Sequence, residues 1–170
     1  MGRLEPPVDA SAWSPEFVAQ RLELLIVHRV GDEIHALRPV HADALRVGWS
    51  PGRTADEILA DVLARYPLTA RVLHSTSWRH VDDQVVLTYL AVVEMPEALS
   101  EHLLDGPVTR ADLARGEATA APRQIVVAQV LEHALRHLAW LVADDPAVAA
   151  ALPDWRSLLA PYVPEPFRGL

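Results

Sequence analysis

Apolar positions recur with two different periods along this chain, and each change of period marks an element. Residues 21–30, RLELLIVHRV, are dense in branched aliphatics, and Gly31 with Asp32 supplies a tight turn before EIHALRPV at 33–40, which predicts a β-hairpin. GWSPGRT, with Gly48, Pro51 and Gly52, reads as a loop. Thr54 and Glu57 then form a capping box, and Ile58, Leu59, Val62, Leu63 and Tyr66 mark one face of a helix that Pro67 stops. A second strand pair follows: ARVLHSTSWRH at 70–80, a turn at VDDQ, and VVLTYLAVVEM at 85–95. The last of these is too continuously apolar to have a wet face, so it is expected to be a central strand. Residues 96–122 hold short helical or irregular pieces, with Thr109 and Asp112 as a cap for one turn. Residues 123–144 carry the longest helical pattern, ended by Asp144, Asp145 and Pro146; short turns at 147–151 and 154–160 and a proline-spaced surface strap complete the chain.

The order hairpin, helix, hairpin, long helix predicts one α+β domain over residues 1–170. Its mixed or antiparallel sheet comes from the two hairpins, with the short helix between them and the long C-terminal helix closing the core at about 20–145. The turns and strap at 146–170 lie outside that core. Hydrophobic residues make up 51% and charged residues 22%, the balance of a globular chain. All 15 basic residues are arginine, the mark of a GC-rich bacterial coding bias rather than of a function. The net charge of −8, with no basic stripe, argues against nucleic acid as a partner. Without cysteine there is no disulfide, thiolate zinc site, iron–sulfur cluster or thiol nucleophile. The start, MGRLEPPVDASAW, lacks a signal-peptide core, and no run reaches the roughly 18 apolar residues of a membrane span. A soluble, cytoplasmic protein with no membrane contact is expected.

Candidate chemistry concentrates in LEHALRHLAW at 131–140, where His133 and His137 lie one helical turn apart beside Trp140. Two such histidines can reach one divalent metal ion, but the metalloprotease motif needs glutamate directly after the first, and Ala134 stands there. Glu132 points about 100° away, and Asp144 lies roughly 10 Å along the axis from His137. A third ligand would come from another element, with His74, His80 and Glu94 on offer. The simpler reading makes both rings the polar margin of a packing helix. In HSTSWRH, strict alternation puts His74, Thr76, Trp78 and His80 on one strand face and Ser75, Ser77 and Arg79 on the other. That row could wall a pocket for a planar ligand, with Arg79 near its rim. Asp82 and Asp83 read as a turn, and Asp56, Glu57 and Asp61 as helix N-terminal charges. No GxSxG elbow, GxGxxG after a strand, or GKS/GKT is present.

The element order (strand pair, glycine-containing loop, short helix, VLHSTSWRHVDDQVVLTYLAVVE, closing helix) resembles the Nudix fold across roughly residues 20–145. The resemblance implies a hydrolase that holds divalent cations on the glutamates of a REUxEE helix. Counting from Gly52, Ile58 occupies the first glutamate's position, and TADEILADVLARYP contains neither an Arg-Glu nor a Glu-Glu pair. No functional residue of the family carries over, so the charge stabilisation of a pyrophosphate is missing. The expectation is a degenerate Nudix-like protein that binds a small ligand or a protein partner, with no cofactor. The alternatives are a metal-dependent hydrolase of nucleotide-diphosphate-type substrates using His133 and His137, and a homodimerisation or interaction module whose five tryptophans and long apolar faces lie in a subunit interface rather than one core, with Trp140 and Trp155 as the residues that separate the two cases.

Overall fold

The computed structural model describes residues 20–111 and 125–163. Its strands are β1 (Gln20–Val30), β2 (Glu33–Pro39), β3 (Leu45–Gly48), β4 (Thr69–Val81), β5 (Gln84–Glu94) and β6 (Leu103–Pro107). Its helices are α1 (Ala55–Ala64), α2 (Val127–Asp144), α3 (Pro146–Ala151) and α4 (Trp155–Leu159). The strands form one mixed sheet in the order β4-β5-β1-β2-β6, with β3 paired to the N-terminal half of β1. Only β1 and β5 run parallel; β1–β2, β1–β3, β2–β6 and β4–β5 are antiparallel.

Both expected hairpins form. Gly31 turns the first at φ 57°, and Asp82 and Asp83 turn the second at φ 47° and 59°, a left-handed pair that aspartate tolerates better than most side chains. β1 and β5 lie inside the sheet, and helices cover both faces, which explains why neither shows a wet face in its pattern. On one face α1 seats Ile58, Leu59, Val62 and Leu63 against Leu22, Leu24, Ile26, Leu37, Ala91 and Val93. The capping box starts this helix as expected: Glu57 N donates to Thr54 Oγ1, and Thr54 N donates to Glu57 Oε2. On the other face α2 lays Val130, Ala134, Leu135, Leu138 and Val142 over Leu25, Val27, Leu90 and Val92, with Leu152, Trp155 and Leu159 from α3 and α4 closing the same core.

Several expectations fail in instructive places. β3 lies in the stretch between the first hairpin and the Gly48 loop, where no element is expected, and its four residues are too few for a periodic signal; the 96–122 stretch contains β6, disguised by Gly106 and Pro107. The long helix begins at Val127 rather than 123, with Val126 still extended ahead of it. Thr109 heads no helical turn among the described residues, and its expected partner Asp112 lies outside them. Tyr162 is buried at 5% exposure against Leu159 and α2, so the chain does not leave the core where the strap was expected to begin. The rest of that strap, from 164, lies outside the described residues. Among the described residues no helix is long and apolar enough to cross a membrane.

Candidate functional site

The sheet carries polar groups into its interior by placing each opposite a partner on the next strand. Glu23 on β1 faces Arg46 on β3 on one side and Thr88 on β5 on the other. Its Oε2 accepts from Arg46 Nε at 2.8 Å and Arg79 Nη2 at 2.7 Å, and its Oε1 from the Thr88 hydroxyl at 3.2 Å. Burial pushes the Glu23 carboxyl up, but the hydrogen bonds and charges of Arg79 and Arg46 outweigh it and hold the group below its ordinary value.

Arg79 reaches this row only because β4 is irregular. The register shifts between Ser75 and Ser77, so His74 opposes Leu90 while Arg79 opposes Val86, and both face α2. The expected wall of His74, Thr76, Trp78 and His80 is therefore broken. Trp78 opposes Leu87 on the α1 side and is 69% exposed, and His80 is exposed beyond it.

His74 instead meets the long helix. Its Nε2 lies 3.2 Å from Nε2 of His137, the rings are 5.0 Å apart, and His137 stacks edge-on against Trp140 at 5.7 Å. Burial first, then the nearby His74 and His133, hold the His137 imidazole below its ordinary value. Glu132 points away from this pair, as the helix geometry required, into a second buried charge cluster. Arg110 Nε and Nη2 donate to its two oxygens at 3.0 and 2.8 Å, Arg136 Nε donates at 3.1 Å, and the Ala111 amide adds a fourth bond. Arg110 also donates to the Pro161 carbonyl and lies 4.4 Å over the Tyr162 ring. Of the two tryptophans considered for a subunit interface, Trp155 is buried in its own core and Trp140 is 39% exposed.

Two features were not foreseen. The first is His28, 1% exposed on β1, directly opposite His35 on β2. His28 Nε2 and His35 Nδ1 both donate to Asp105 Oδ1 on β6, at 2.8 and 3.0 Å. Asp105 is pushed up by burial, but the two imidazoles outweigh this and hold it below the ordinary carboxylate value. The only sign in the sequence is a histidine ending an apolar run; Asp105 sits in a segment with no regular pattern.

The second is a cleft of about 530 Å³ on the α2 side of the sheet, near where the pairing of β1 passes from β3 to β2. Leu25, Ala36, Val108, Val127 and Leu131 wall it, and Arg38 and Asp43 stand at it. None of His74, Trp78, Arg79, His80, His133, His137 or Trp140 lines it.

No protein-family model matches the chain, and no curated protein matches it. Among solved structures it is similar to a C. elegans Ap4A hydrolase at 15% identity and a TM-score of 0.40, over 54% of this chain and 82% of that one. It is also similar to MutT from a study of Aliivibrio salmonicida and Vibrio cholerae, at 14% identity and a TM-score of 0.40, over 79% and 97% of the two chains. A third is the E. coli ORF135 protein, at 14% and 0.33, over 54% and 71%. The likeness is a weak one of architecture, an α+β chain with a mixed sheet and Nudix-like neighbours, and no chemistry rests on it.

Proposed function

We propose that this protein binds a small ligand in the cleft beside α2, on a Nudix-like scaffold that lacks the glutamate-held metal cluster of pyrophosphate hydrolysis. The cleft carries the proposal: its size falls in the range of small-molecule sites, its walls are aliphatic, and its charged groups are few. Arg38 is exposed on the cleft's face of β2 and makes no ion pair among the described residues, which suits a ligand with an apolar body and one carboxylate or phosphate. Two of the three carboxylates of α1 support the second half. Glu57 is engaged in the capping box, Asp61 pairs with Arg53 at 2.7 Å, and Ile58 is buried at 6% exposure in the α1 core.

Anilinonaphthalene sulfonate, an apolar anion, tests the cleft. The folded protein should bind one equivalent saturably, Ala36→Trp should weaken that at least tenfold, and Arg38→Ala should weaken it less. Equal binding by Ala36→Trp overturns the cleft assignment, and EDTA-sensitive hydrolysis of ADP-ribose, a sugar nucleotide or a dNTP overturns the non-hydrolytic part.

A second reading, a metal-dependent enzyme built on His133 and His137, is favoured by one observation: His74 of the sheet lies within 3.2 Å of His137. Zinc stoichiometry before and after His137→Ala decides it.

A further inference from the structure

Independently of the cleft, we infer that His28, His35 and Asp105 form a binding site for one divalent transition-metal ion of the zinc and cobalt type. Among the described residues this is the group of histidine and carboxylate side chains whose ligand atoms converge, all lying within 4.8 Å of one another. The strand register brings them together. His28 and His35 are directly opposed on β1 and β2, Asp105 opposes Leu37 two places along β2, and all three project to the same face. Their neighbours Ala36 and Gly106 take part in the cleft on the other side.

Two imidazoles and a carboxylate are the donor set that such ions take, and three protein ligands leave a coordination position open. Around a tetrahedral ion with metal–ligand bonds near 2.0–2.1 Å, donor atoms stand roughly 3.3 Å apart. The present nitrogen-to-oxygen gaps of 2.8 and 3.0 Å need open by only a few tenths of an ångström. Asp105 has 31% of its side chain exposed and His35 15%, which gives an ion a route in from solvent.

The surroundings suit this use unevenly. His35 Nε2 lies 3.8 Å from the exposed Glu33 carboxylate, too far for a hydrogen bond but on the side from which a carboxylate supports a ligating imidazole. His28 Nδ1 is buried with no hydrogen-bond partner among the described residues, so this ring is retained inside the sheet by what happens at Nε2 alone. One carboxylate oxygen shared with a second histidine is a weak reason to bury it; a metal bond is a stronger one. The same orphan nitrogen must carry the proton once Nε2 binds metal, which holds the affinity below that of a fully supported site.

The test is titration of EDTA-treated protein with cobalt(II), read by visible d–d absorption, with zinc displacement and metal analysis for stoichiometry. One cobalt per chain is expected, displaced by zinc. Asp105→Ala and His35→Ala, both at part-exposed positions, should each weaken binding at least tenfold while circular dichroism and thermal unfolding show a folded chain; His137→Ala should leave it unchanged. Absence of a cobalt spectrum on the folded wild type overturns the proposal, as does wild-type affinity in either of the first two variants. Binding lost in His137→Ala but kept in His35→Ala also overturns it, because the ion then sits at the other histidines.

Discussion

Replacing Glu132 by glutamine removes one charge from the most heavily bonded buried carboxylate on the α2 side. The wild-type side chain has 0% exposure and accepts four bonds, two from Arg110 and one each from Arg136 and the Ala111 amide. Glutamine keeps the shape but offers one oxygen, and its amide group points a donor at guanidinium donors. Breaking one side of a buried ion pair costs roughly 3–5 kcal/mol. Arg110 and Arg136 are 47% and 22% exposed, so water recovers part of what they lose and the low end applies. A loss of about 3 kcal/mol in a chain of this size lowers the Tm by roughly 6–12 °C.

Acid should erase the difference. Burial raises the Glu132 carboxyl, but the arginines and the Ala111 amide outweigh it and hold the folded value below the ordinary one. The contribution is therefore fully present above the unfolded carboxyl value near 4.3 and is lost as pH falls through the depressed folded value. Urea unfolding of both proteins at neutral pH and near pH 3 reads this directly. A neutral-pH deficit below about 1 kcal/mol would refute the pairing argument, and a deficit of equal size at both pH values would show that packing, not charge, was lost.

Two further substitutions probe the remaining polar contacts. His137→Phe should flatten the dependence of stability on pH between about 8 and 5.5. The half-buried wild-type imidazole takes up its proton at lower pH than an unfolded one, so wild-type stability declines as pH falls below the ordinary value of about 6.5; parallel urea midpoints for the two proteins across that range would count against it. Thr88→Val keeps the volume of a side chain with 0% exposure but removes a hydroxyl that accepts from Arg79 at 2.9 Å and donates to Glu23. A loss of about 1–3 kcal/mol is expected in urea unfolding, and a neutral result would mean that the Arg46–Glu23–Arg79 row needs no hydroxyl.

The hydrophobic framework was legible because burial repeats. The two hairpins, the capped helix and the α2 stripe each span enough residues for a period to show. The interior position of β5 followed from its lack of polar positions. The face assignment in HSTSWRH failed for a different reason: a bulge at Ser75–Ser77 belongs to the pairing of β4 with β5 and not to the strand itself. It leaves no mark in a single strand's pattern, yet it decides that Arg79 rather than Trp78 shares a face with His74.

Buried ionisable groups mark the limit more sharply, and they explain which elements were missed. Glu23 and His28 sit inside one apolar run, and Glu132 follows Leu131 on a packing helix, so each has to find a partner without solvent. One partner of each comes from a segment with no readable period: Arg46 from β3 beside Arg79 of β4, Asp105 from β6, and Arg110 just beyond β6 beside Arg136 of α2 itself. β3 and β6 have few apolar side chains of their own to bury, with Leu103 the only fully buried residue between them. Their register is instead specified by charge: a slip of one residue would turn Arg46 or Asp105 to the opposite face, which would cost Glu23 one of its two guanidinium donors or leave His28 buried without its carboxylate. A charge inside an apolar run is thus the usable signal in such a sequence. It locates neither partner nor ligand, but it shows that a complementary group has to reach the core at that point, and in this chain an edge strand or the loop after it supplies one each time.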